Sequence, residues 1–131
     1  MKAVFDTNIF VSALAFPGGR AEAALMKVIG GEVELLVSKS IIHEVLDVLS
    51  RKFDRDPEEL ARVAVYLADL GKVVQPKSKL AILRDEPDNR ILECAVAGRA
   101  DVIVTGDHAM LALSKYKAVS IVTLKDFLTD V

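Results

Sequence analysis

Apolar residues along this chain gather in two kinds of run. Ala3-Val4-Phe5, Leu35-Leu36-Val37 and Val102-Ile103-Val104 are short and unbroken, the pattern of strands covered on both faces. Between them apolar residues recur at three- and four-residue spacing, as in Ile41, Ile42, Val45, Leu46 and Leu49, the stripe of an amphipathic helix. Punctuation sets the boundaries. Lys2–Phe5 reads as a strand, followed by a short helix to about Phe16, the break Pro17-Gly18-Gly19, and a helix Arg20–Ile29 stopped by Gly30-Gly31. A strand Glu34–Val37 precedes a helix capped by Ser38 or Ser40 and running to about Lys52. Asp56 and Pro57 open the next helix, which ends at Gly71. A strand Lys72–Gln75, closed by Pro76, leads on to a helix Asp88–Ala97 and a strand Val102–Val104. A helix His108–Lys115, a strand Val119–Val122 and a helix Thr123–Thr129 complete the chain. Strands alternating with helices predict an α/β fold, a parallel sheet covered on both faces, in one domain over residues 1–131.

Composition narrows the function classes. Hydrophobic residues make up 52% of the chain, ample for a core, but aromatics only 5%, which disfavours a binder built on stacked aromatic platforms. The net charge of −2 gives no global basic field. A single cysteine, Cys94, excludes an intramolecular disulfide and a Cys-based zinc site, and its apolar setting reads as a small buried hydrophobe. The N-terminus does not read as a signal peptide, because Asp6 interrupts the apolar region. No apolar run is long enough to span a bilayer, so the expectation is a cytoplasmic protein with no membrane association.

The acids change the picture. Open parallel sheets bind ligands at the carboxyl ends of their strands, and Asp6 and Asp107 both follow strands there. Either one alone reads equally as a helix cap. Asp88 is more telling, because Ile91, Leu92 and Ala95 follow it at three, four and seven residues and put it on the inward side of its helix. Glu44 lies on the flank of its helix's apolar stripe, and spacing leaves its role open. His43 and Asp47, four apart, read as a solvated pair. Carboxylates converging at one sheet edge repel and need cations to stay ionised together. An all-oxygen donor set selects Mg²⁺ or Mn²⁺ and suits metal-assisted phosphodiester hydrolysis.

With these acids in place the chain resembles the PIN-domain nucleases over nearly its whole length. The resemblance rests on "VFDTNIF", "SKSIIHEVLDVL", "DNRILECAVAGRADVIVTGD" and "VSIVTLKDFL", and above all on Asp-Thr-Asn after the first strand combined with Thr-Gly-Asp after a later one. It implies a three-layer α/β/α sandwich and an endoribonuclease dependent on Mg²⁺ or Mn²⁺. The family's acidic quartet maps onto Asp6, Glu44, Asp88 and Asp107 as catalytic and metal-binding residues. Thr7, Asn8 and Thr105 match positions that support the acids or the bound phosphate. The chain looks most like the toxin branch, whose members pair with an antitoxin and form homodimers. It departs from the pattern at Ala109, where relatives often carry another acid, and this puts a second metal ion in doubt.

If four acids are metal ligands, the 17 Lys and Arg outnumber the acids that remain of the 19. Arg20, Lys39, Arg84, Arg90 and His108 flank the acids in sequence, and Arg20, which starts a helix directly after Gly18-Gly19, is the leading candidate to meet an RNA phosphate. Two other classes compete with the nuclease. A phosphoacceptor signalling domain would want paired acids after the first strand and an Asp after the third, where this chain has Thr7-Asn8 and Gln75-Pro76. An inactive binding subunit that grips RNA or protein in the same groove is kept open by Ala109.

Overall fold

The computed structural model describes residues 1–130. Its strands are β1 (Lys2–Phe5), β2 (Glu34–Val37), β3 (Lys72–Val73), β4 (Val102–Val104), β5 (Lys115–Tyr116) and β6 (Val119–Val122). Its helices are α1 (Thr7–Ala15), α2 (Arg20–Ile29), α3 (Lys39–Phe53), α4 (Pro57–Leu70), α5 (Glu86–Ala97), α6 (His108–Leu113) and α7 (Leu124–Asp130). They form a three-layer α/β/α arrangement around a six-stranded sheet of order β3-β2-β1-β4-β6-β5, parallel except for β5 against β6. Among the described residues no single helix is long and apolar enough to cross a membrane.

The central strand shows why the sequence folds this way. Ala3, Val4 and Phe5 are fully buried, as an unbroken apolar run in a doubly covered strand must be. Ala3 pairs in register with Leu35 on one side and Val102 on the other. The Phe5 ring meets Phe10 of α1 at 5.7 Å and Phe127 of α7 at 5.6 Å, so the terminal helix returns to the centre of the core. Gly98 ends α5 against β2, where an added Cβ would lie 2.5 Å from Leu36 Cδ1. The close approach of helix to sheet is what requires glycine there.

Local signals set most boundaries. Ser38 caps α3 by accepting a hydrogen bond from the Ile41 N–H at 3.3 Å, and Asp56 caps α4 through the Glu59 N–H at 2.9 Å with Pro57 in the first turn. Four expectations need correction. The strand expected over Lys72–Gln75 is only Lys72–Val73, although the Val74 N–H still bonds the Val37 carbonyl at 2.8 Å. Helix α5 starts at Glu86 instead of Asp88, because Pro87 is tolerated in a first turn that needs no N–H from it. Helix α6 stops at Leu113, where Ser114 turns left-handed at φ 53°, and Lys115–Tyr116 pair as β5 with β6. Asp47 does not pair with His43; it accepts from Arg51 at 2.8 Å, one turn further along α3.

Candidate active site

From β1 the chain winds one way to β2 and β3, and from β4 it winds the other way to β6. The reversal lies between β1 and β4, where an open α/β sheet leaves a crevice at its carboxyl edge. Asp6 directly follows β1, and its N–H extends the ladder to the Val104 carbonyl at 2.9 Å. Thr105 directly follows β4, fully buried, and donates its hydroxyl to Asp6 Oδ2 at 2.6 Å. The same Oγ1 accepts the Asp107 N–H at 3.0 Å. Thr105 thus ties the two strand ends together and holds one acid with its oxygen while placing the backbone of the next.

Asp6 and Asp88 both feel the charge of Asp107. Asp6 is only 5% exposed, and its carboxyl is raised above the usual range, first by burial and further by the Asp107 charge. The Thr105 hydrogen bond and the backbone N–H groups of Thr7 and Asn8 pull the other way, although Asp6 makes no capping hydrogen bond to α1. Asp88, 7% exposed in the first turn of α5, is pushed up to about 7 by burial first, then by the charges of Asp107, Asp6 and Asp85. A side-chain hydrogen bond with Asp107 acts in the same direction. Asp107 uses Oδ2 to cap α6 through the Met110 N–H at 3.0 Å. Asp107 thus serves as the helix cap, and its charge also reaches Asp6 and Asp88.

Glu44 shares a cleft with Thr7, the residue after Asp6. It is half-buried on α3 and lines a cleft of about 170 Å³ with Thr7, Ser40, Ile41, Pro87 and Arg90. Thr7 is buried and belongs to both the cleft and the Asp6 turn, whereas Asn8 is exposed. Arg20 opens α2 as an exposed residue outside the hydrogen bonds that join Asp6, Thr105 and Asp107. Arg90 is committed elsewhere: it pairs with Glu93 at 2.9 Å and Glu86 at 3.1 Å and donates to the Leu80 carbonyl at 3.0 Å.

The donor chemistry fits a hard divalent cation. Buried Asp6 and Asp88 and half-buried Asp107 supply only oxygen, and burial together with their like charges makes a cation favourable beside them. Among the described residues no three Asp, Glu, His or Cys side chains are drawn close enough to hold a metal ion as they stand.

Sequence reading missed the polar anchors of α5. Fully buried Asn89 accepts the Ile82 and Leu83 N–H groups at 3.0 and 2.8 Å and returns its own N–H to the Leu83 carbonyl at 2.8 Å. Glu93 accepts the Leu80 N–H at 2.7 Å. These contacts fasten the segment before α5 and so fix the turn that carries Asp88. The signal was present, since Asn89 lies three residues before Leu92 and four before Glu93, on the inward face.

The PIN domain family model matches residues 2–109. An uncharacterized protein of Methanocaldococcus jannaschii is 27% identical over 132 residues, covering 95% of this chain and 84% of that protein. The fold matches a chain of Rickettsia felis VapBC2, a structure bound to a DNA fragment from their promoter, with a TM-score of 0.66 at 15% identity over 94% of this chain and 98% of that one. It also matches a chain of VapBC-1 from nontypeable Haemophilus influenzae, with a TM-score of 0.66 at 14% identity over 95% of this chain and 99% of that one. With that match and this topology, the chain belongs to the PIN domain family.

Proposed function

We propose that this protein is an endoribonuclease dependent on Mg²⁺ or Mn²⁺ and acts as the toxin of a toxin–antitoxin pair in the cytoplasm. The observation that carries the nuclease reading is the hydrogen-bonded chain Asp6–Thr105–Asp107 across the β1/β4 switch point, with Asp88 raised to about 7 by burial first and then by the charges of Asp107 and Asp6. Asp6, Asp88 and Asp107 would hold the ion, with Glu44 as a further ligand or as the group that orients the attacking water. When bound, the ion supplies Lewis-acid polarisation of the phosphate and activation of water. The chain's own part is positional. Thr105 fixes the Asp6 carboxylate, the α6 cap fixes Asp107, and the cleft beside Thr7 leaves room for the scissile phosphate.

The toxin assignment is supported by the VapBC complexes whose chains share this fold. A cognate antitoxin and a homodimer belong to the same reading. The decisive experiment incubates purified protein with RNA in Mn²⁺, in Mg²⁺ and in chelator, beside the Asp6→Asn and Asp107→Asn variants. Cleavage that needs the ion and is lost in both variants is expected. RNA binding without cleavage in any metal would overturn the enzyme reading in favour of a binding subunit. Growth arrest on expression, relieved by a protein encoded next to this gene, tests the toxin role.

A further inference from the structure

The cleft beside Thr7 and Glu44 does not end at Arg90. It shares Ser40 and Arg90 with a neighbouring hollow of about 340 Å³ that Lys77, Ser78 and Lys79 also line. That hollow shares Lys77 and Ser78 with a further one of about 320 Å³, which reaches Lys117, and Ser40 with another that Lys39 borders. These hollows adjoin one another from Thr7, the residue after Asp6, past the first turn of α3 and along the segment between β3 and α5.

Their charge changes along the way. At the Thr7 end the acids Glu44 and Glu86 face one cation, Arg90. Farther on, Lys39, Lys77 and Lys79 are exposed and make no ion pair among the described residues. The acid in that part, Glu93, is already held by Arg90 and the Leu80 N–H. The first-turn N–H groups of α3, unpaired within the helix, border the same wall. The segment that carries the lysines is fastened to α5 directly after Lys79, at Leu80, Ile82 and Leu83, by Asn89, Glu93 and Arg90. An acidic centre opening into a groove of free cations is the arrangement that grips a polyanion along its backbone while one phosphate sits at the acids.

We propose that Lys77 and Lys79, with Lys39 and Ser40 on the opposite wall, form a track for the phosphodiester backbone of single-stranded RNA extending from the scissile position. This inference deepens the nuclease reading and rests on it. Binding through the track uses phosphate contacts without base readout, so it is steeply salt-dependent and tolerant of sequence.

The test uses the full chain, a labelled twelve-nucleotide oligouridylate and a trinucleotide of the same base. Binding is followed by anisotropy in chelator, and cleavage in Mn²⁺. Lys77→Ala with Lys79→Ala is expected to weaken twelve-mer binding roughly tenfold and to lower the slope of log affinity against log salt by about 1.4, for two phosphate contacts on a single strand. The advantage in cleavage of the twelve-mer over the trinucleotide is expected to shrink with it. Lys52→Ala with Lys125→Ala, exposed lysines away from these hollows, serves as the control and is expected to match the parent. If the first pair binds like the parent, or loses no more binding than the control pair, the track is wrong, whatever the protein cleaves. If the parent binds the twelve-mer through Lys77 and Lys79 but cleaves nothing in Mn²⁺, the track stands and the nuclease reading falls.

Discussion

Replacing Asp88 with Asn tests the charge cluster directly. In the folded chain the Asp88 carboxyl is raised from 3.8 to about 7, so the native state keeps its proton across a range where the unfolded chain has released it. Stability therefore falls as pH rises from 3.8 towards 7, and is level above that for this group. About three pH units at ~1.4 kcal/mol each amount to about 4 kcal/mol that ionised Asp88 costs the fold at pH 8. This figure is an upper bound, because part of it comes from the charges of Asp107 and Asp6, which solvent screens. Asparagine keeps the shape and an N–H to offer Asp107, and carries no charge. In chelator at pH 8, Asp88→Asn is expected to melt on the order of 10 °C higher than the parent. At pH 4 the gap should shrink to under about 1 kcal/mol, since the parent is then protonated in the folded state and nearly half so unfolded. Adding Mn²⁺ at pH 8 should raise the parent more than the variant, while RNA cleavage by the variant is lost. Thermal melts at both pH values in chelator decide the matter. A variant that melts lower than the parent at pH 8, or by the same interval at both pH values, would show that Asp88 is architectural and refute the reasoning.

The other predictions concern the supports of the site. Thr105→Val removes the 2.6 Å hydrogen bond to Asp6 and the acceptor of the Asp107 N–H, and should cost about 1.5–3 kcal/mol in urea unfolding, with Thr105→Ser restoring most of it. Gly98→Ala would press a Cβ into Leu36, and the shift this forces in a packed core should cost about 1–3 kcal/mol, read as a lower midpoint in denaturant. Burial pushes the Cys94 thiol up to about 12, so iodoacetamide at pH 8 should leave the native protein unmodified and alkylate it fully once unfolded, as mass spectrometry would report.

Features that depend on neighbouring residues alone were legible in the chain. Ser38, Asp56 with Pro57, and Gly71 mark helix ends because capping and φ preferences act over one turn. Asp6, Asp107 and inward-facing Asp88 could be singled out because their distance from the ends of apolar runs fixes which end and which face they occupy. The hairpin of β5 and β6 escaped notice because its turn at Lys117 takes a left-handed φ of 53° without glycine or asparagine. Arg90, which flanks the acids in sequence, is taken up by Glu86 and Glu93, an outcome set by where the preceding segment folds back. Tertiary structure also decided which strands lie side by side. The order β3-β2-β1-β4-β6-β5 rests on pairings between residues far apart in the chain, and it alone puts Thr105 within 2.6 Å of Asp6. Burial and mutual charge then set how Asp88 titrates, and both follow from that adjacency and from the way α5 is anchored. The sequence specifies which residues can do chemistry and on which face they stand. Only the lateral order of the sheet brings them into one electrostatic environment, because that order is decided by long-range packing that no local pattern encodes.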